Sequence, residues 1–158
     1  MTIEIRRMDP RLDKEEVFRL VRLFCEENRV SFDSKAFEVE LNTRLLDLKK
    51  RNAIVLAKED EELVGIGFFT IFKTHLGQDE CIFHKVITSK ANSFKKGIEE
   101  AIIREMMKYA KNTLKIAKFQ LNCPDADSGY RNLLMKLGIT KSANLLYEKV
   151  IEEKVVEE

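Results

Sequence analysis

The polar and apolar positions change period several times along the chain, and each change predicts an element. Ile3 and Ile5 alternate with Glu4 and Arg6, the period of two of a short strand, which Asp9-Pro10 ends. Asp13, with Glu16 three residues on, predicts a capped helix running to about Asn28. Its apolar stripe is Val17, Leu20, Val21, Phe24 and Cys25. A second helix is predicted from Asp33-Ser34, with Phe37, Leu41, Leu45 and Leu48 on one face. The cationic cluster Lys49-Lys50-Arg51 ends it.

The run 53–57 is apolar throughout, as in a strand buried on both faces. The acidic tetrad 59–62 turns it into a second strand over 63–72, rich in β-branched and aromatic residues. Gly65 and Gly67 inside that strand predict a bulge or the close approach of another group. A loop with His75 and Gly77 leads to a further strand over 80–87. From Gly97 the period becomes helical, with Ile98, Ala101, Ile102, Met106, Tyr109 and Ala110 on one face. A strand over 116–123 and a turn with candidate N-caps Asp125 and Asp127 follow. Tyr130, Leu133, Leu134 and Leu137 then make a short helix closed by Gly138. A last strand is predicted over 145–151, before an acidic tail at 152–158.

The expected fold is therefore mixed α/β (α+β) in one domain over 1–151. Its twisted, mostly antiparallel sheet has a central parallel pair, strands 80–87 and 116–123, joined by a right-handed crossover, with helices on both faces.

Composition narrows the function classes. At 158 residues and 18.4 kDa, 44% hydrophobic, the chain can bury one sizeable core and is not disordered. Twenty-eight basic against 27 acidic side chains leave a formal charge of +1, with no bulk field toward nucleic acid or an anionic membrane. The absence of Trp and of aromatic–basic interleaving also argues against nucleic-acid binding. Cys25, Cys81 and Cys123 form no C-x-x-C, so buried, reduced thiols are expected. His75 and His84 have no matching ligand set, and no metal is expected. The first residues lack a signal peptide's apolar region, and the longest apolar stretch is short of the ~20 residues of a membrane helix. A soluble cytoplasmic protein is the expectation.

Four segments carry candidate chemistry. In Ser93-Phe94-Lys95-Lys96-Gly97-Ile98-Glu99-Glu100-Ala101-Ile102 a loop enters a helix. Helix-start amides point outward there, backed by the positive end of the dipole, and suit an anionic phosphate. Lys95 and Lys96 strengthen that field, and Gly97 permits close approach. The others are Leu121-Asn122-Cys123 followed by Asp127 and Tyr130, then Leu134-Met135-Lys136-Leu137-Gly138-Ile139, and Tyr147-Glu148-Lys149. In this element order, over nearly the whole chain, they resemble the GNAT superfamily of N-acetyltransferases.

The resemblance implies transfer of an acetyl group from acetyl-CoA to an amine. It implies that Phe94, Lys95, Lys96, Gly97, Ile98 and Glu99 form the pyrophosphate loop, Arg/Gln-x-x-Gly-x-Gly/Ala in the family. Phe94 stands where the family has Arg or Gln, and Glu99 where it has Gly or Ala. Val86 and Ile87 would offer a backbone donor to the thioester carbonyl, and Asn122 a contact to the pantetheine arm. His84, sharing a face with Glu80, Ile82 and Val86 by alternation, is the base candidate, because an imidazole of pKa ~6.5 suits proton abstraction near neutrality. Tyr130 is the acid candidate, one turn before Leu134, which occupies the family's tyrosine position. For both residues a purely structural reading stays open. The expected acceptor is the amine of a small molecule or peptide, and a homodimer is left open. The alternative is a catalytically inactive module of the same fold that binds coenzyme A or a protein partner.

Overall fold

The computed structural model describes residues 3–151. Five strands, β1 (Ile3–Arg7), β2 (Ile54–Glu59), β3 (Glu62–Lys73), β4 (Asp79–Phe83) and β5 (Phe119–Leu121), form one sheet in chain order. All neighbours are antiparallel except β4 and β5, which run parallel as expected. Helices α1 (Lys14–Glu27), α2 (Ser34–Leu46) and α3 (Leu48–Asn52) lie between β1 and β2. Helix α4 (Ile98–Asn112) crosses between β4 and β5, and α5 (Ser128–Lys136) follows β5.

The apolar run after Ala53 is buried on both faces because β2 is sandwiched. Val55 and Ala57 face the core under α4, and Ile54 and Leu56 face that under α1 and α2. The glycines of β3 answer a close approach. A Cβ on Gly65 would lie 2.5 Å from Ile98 Cγ2, and one on Gly67 2.7 Å from Met106 Sδ. Bare backbone at these two positions lets α4 settle directly on the sheet.

Several expectations need correction. Asp13 does precede α1 but does not cap it through its side chain. Its buried carboxylate instead accepts from the Asp9 amide at 2.7 Å and pairs with Arg6 and with Lys58, while Glu16 accepts from the Leu63 amide. Two cations and a loop amide compete successfully for these acids. The second helix breaks at Asp47, whose extended backbone ends α2 and whose side chain caps α3. Residues 145–151 form no strand, and Leu145, Leu146, Tyr147, Val150 and Ile151 are exposed, because no strand of the sheet hydrogen-bonds to them. The acidic tail at 152–158 lies outside the described residues.

The most consequential difference is at the end of β4. Phe83 pairs with Phe69, and Ile87 bridges Ile66, so three residues of one chain oppose two of the other. This bulge shifts the alternation. Val86 turns into the core beside Cys81 and Phe83, and His84 stays exposed, so the two do not share a face.

Candidate functional site

The parallel pairing of β4 and β5 covers three residue pairs and stops at Phe83 and Leu121. The rings of Phe83 and Phe119 stack at 4.1 Å and hold the pair together. Beyond it the chains part. The end of β4 bends back to β3 through the bulge, and β5 runs into the turn at Pro124. Asn122 stands one residue past the last pair and is exposed. Across the gap, Lys85 Nζ donates to Asp127 Oδ2 at 2.6 Å. Asp127 also caps α5, accepting from the Tyr130 amide at 3.0 Å. Burial pushes the Asp127 carboxyl up, but Lys85 and the Tyr130 amide outweigh it and hold the pKa below the ordinary value.

The loop from Thr88 to Gly97 closes over this gap. Gly97 is the N-cap of α4 with φ +69°, and a Cβ there would meet nothing within 4 Å. The residue is needed for its left-handed backbone, not for space. Among the described residues, none accepts a hydrogen bond from the amides of Lys96, Gly97, Ile98, Glu99 or Glu100. Five unpaired donors thus meet the positive end of α4. Lys95 and Lys96 are exposed beside them, but Lys96 Nζ is engaged by Glu59 at 2.8 Å. Ile98 is fully buried and anchors the helix start on β3.

Glu99 is 3% exposed, and its Oε2 accepts from the Phe94 amide at 2.7 Å and from Ser93 Oγ at 3.2 Å. Its Oε1 is buried with no partner. Phe94, at φ +60°, lays its ring against Gly129 and within 6.4 Å of the Tyr130 ring. The carboxylate therefore ties the loop down, and the aromatic ring seals it onto α5.

What remains is a cleft of about 40 Å³. Lys85 and Val86 of the bulge, Glu99 and Phe94 of the loop and Tyr130 of α5 line it, and Phe24 and Asn28 close it from the end of α1. Tyr130 is fully buried, and its hydroxyl has no hydrogen bond of good geometry. Burial pushes the phenol well above its ordinary value, against the nearby Val86 backbone. The Ile87 amide is used by the Ile66 carbonyl, whereas the Val86 amide has no backbone acceptor and only the Tyr130 hydroxyl near it, in no hydrogen bond of good geometry.

His84 does not line the cleft. Its Nε2 lies 2.7 Å from Thr70 Oγ1, and partial burial together with Arg44 lowers its pKa. The base and acid candidates are therefore not brought into one cavity. None of the three thiols is activated. Burial raises all of them, Cys81 to about 11. The Lys85–Asp127 pair and the contributions of Phe24 and Asn28 were missed by sequence reasoning. Asp127 was visible as a cap, but its cation is 42 residues away.

The sequence matches no protein-family model and no curated protein. Solved structures match over nearly the whole chain. A ribosomal-protein-alanine N-acetyltransferase from Brucella melitensis is 21% identical with a TM-score of 0.68, covering 96% of this chain and 100% of that one. A possible acetyltransferase from Clostridium difficile is 14% identical with a TM-score of 0.74, covering 97% and 100%. An aminoglycoside N-acetyltransferase solved in complex with CoA is 10% identical with a TM-score of 0.75, covering 95% of each chain. At these identities the likeness is one of architecture, and the parallel β4–β5 pair with α4 crossing between them is part of it. This chain has the fold of the GNAT superfamily of N-acetyltransferases.

Proposed function

We propose that the protein is an acyltransferase that takes an acetyl group from acetyl-CoA and delivers it to an amine of a small molecule or peptide. The observation that carries this reading is the set of unpaired amides from Lys96 to Glu100 around the left-handed Gly97, beside the point where β4 and β5 part. Such a set suits a pyrophosphate, with Lys95 adding charge. The Val86 amide, set free by the bulge, is the donor suited to a thioester oxygen, and Asn122 borders the route of the pantetheine arm. Tyr130 is the hydroxyl nearest to protonating a leaving thiolate, and His84, kept neutral near pH 7 by its lowered pKa, can accept a proton from an amine on the sheet's outer surface. Acetyl-CoA supplies the activated acyl group; these residues bind, orient and move protons.

Two observations favour a second reading, that of an inactive module of the same fold. Glu99 places a buried carboxylate under the loop, and the cleft holds about 40 Å³, too little for a pantetheine arm unless Phe94 moves. A thermal shift with acetyl-CoA tests the first step, since a ligand at a hundred times its Kd stabilises the folded state by ~2.7 kcal/mol. A shift followed by acetylation of any member of an amine panel supports the enzyme. A shift without turnover supports the module, and no shift at millimolar acetyl-CoA removes both coenzyme A readings.

A further inference from the structure

A groove of about 950 Å³ lies between the end of β1 with the turn after it and the α2–α3 break, and it shares no residue with the cleft. Helix α1 separates the two. Its first residue, Lys14, lines the groove, while Phe24 and Asn28 at its other end line the cleft.

The groove is cationic by construction. Arg6, Arg7, Arg11, Lys14 and Arg51 line it against a single carboxylate, Asp9. Two of these arginines are anchored, one on each face of the sheet. Arg6 is gripped by the buried carboxylate of Asp13, and Arg7 by Glu105 at 3.2 Å with its guanidinium 4.8 Å from the Tyr109 ring centre. Anchored guanidinium groups lose little freedom on binding, and their charge-assisted hydrogen bonds to an anion are strong ones. Among the described residues, Arg11 and Arg51 form no ion pair at all.

The opposite wall is apolar. At the break between α2 and α3, Leu46 is 89% exposed and Leu48 63% exposed, both lining the groove. Solvated leucines facing a row of arginines match a ligand that carries an anion at one end and an apolar group at the other. The volume falls within the roughly 300–1,000 Å³ usual for small-molecule sites.

We propose that this groove is a second binding site, taking a soluble organic phosphate with an apolar substituent. The phosphate sits against the arginines, whose planar forks accommodate its oxygens, and the substituent lies on Leu46 and Leu48. The site owes nothing to coenzyme A and stands whether or not the cleft is an active site.

Calorimetry with naphthyl phosphate, inorganic phosphate and phosphatidylserine vesicles tests it on the full chain. Naphthyl phosphate is expected to bind more tightly than inorganic phosphate. The double variant Arg11→Glu/Arg51→Glu should weaken both by tenfold or more, while Leu46→Ser should weaken naphthyl phosphate alone. All three positions are on the surface, and circular dichroism of the variants should be unchanged. Absence of naphthyl phosphate binding would overturn the proposal, as would binding indifferent to these substitutions. Binding to vesicles without binding to naphthyl phosphate would replace the soluble ligand with a membrane surface.

Discussion

The Glu99 carboxylate accepts a hydrogen bond of 2.7 Å from the amide of Phe94, five residues before it in the loop. An internal anion thus occupies part of the loop that the proposed reading gives to a phosphate. Glu99→Ala removes that charge and frees the Phe94 amide. Coenzyme A should bind about tenfold more tightly to the variant, the effect of ~1.4 kcal/mol of relieved repulsion. Calorimetry on both proteins checks this, and an unchanged affinity would place Glu99 outside the phosphate's reach.

Tyr130 is fully buried with an unsatisfied hydroxyl. Tyr130→Phe keeps the ring and removes a group whose burial gains no hydrogen bond. Urea unfolding should show stability unchanged or raised by up to ~1 kcal/mol. If the hydroxyl donates the proton to the leaving thiolate, turnover of an accepted amine falls ~10²-fold while coenzyme A affinity holds. Unchanged turnover would return Tyr130 to the core.

Asp13 and Lys58 are both buried and lie 3.0 Å apart. Burial raises the Asp13 carboxyl, but the Asp9 amide, Lys58 and Arg6 together hold it below its ordinary value. A depressed folded pKa stabilises the protein above the unfolded value and stops doing so as pH falls through the folded one. Asp127 acts in the same direction. Stability should therefore be flat in these groups near neutrality and fall away below about pH 4. Asp13→Asn leaves Lys58 with only the more distant, partly exposed Glu16 carboxylate at 3.6 Å and should cost up to ~3 kcal/mol at pH 7. Urea titrations from pH 7 to pH 2 should show the gap between the two proteins narrowing in acid.

Gly67 lies under Ile102 and Met106. Gly67→Ala forces α4 off the sheet and should destabilise the protein by ~1–3 kcal/mol, lowering Tm by several degrees in a calorimetric scan. A neutral result would mean that α4 sits farther from β3 than the 2.7 Å to Met106 Sδ implies.

The sequence was most legible where one element dominates its own pattern. Helix α4 and the β2–β3–β4 meander follow from period, the parallel β4–β5 pair from the strand–helix–strand order, and Gly65 and Gly67 pointed to a bulge or a close approach, which is that of α4. Legibility failed where partners are distant. Nothing near Asp13 reveals that Lys58 will claim its carboxylate, and nothing near Lys85 points to Asp127. The bulge after Phe83 has no local signature either, since it depends on how β3 receives the returning chain. In the site, Gly97 and the unusual Glu99 could be read from the loop, while the partition of His84 from Val86 could not.

Only three residue pairs join β5 to β4, whereas β2 pairs with β1 over Val55–Glu59 and with β3 over Ile54–Glu59. Amides in β5 and α5 should exchange with deuterium through local openings, and those of β2 only when the whole domain unfolds. One side of the cleft is thus a separately breathing unit, latched to the rest by the Lys85–Asp127 bridge and the Phe83–Phe119 stack. A ligand can part that wall without melting the sheet behind it.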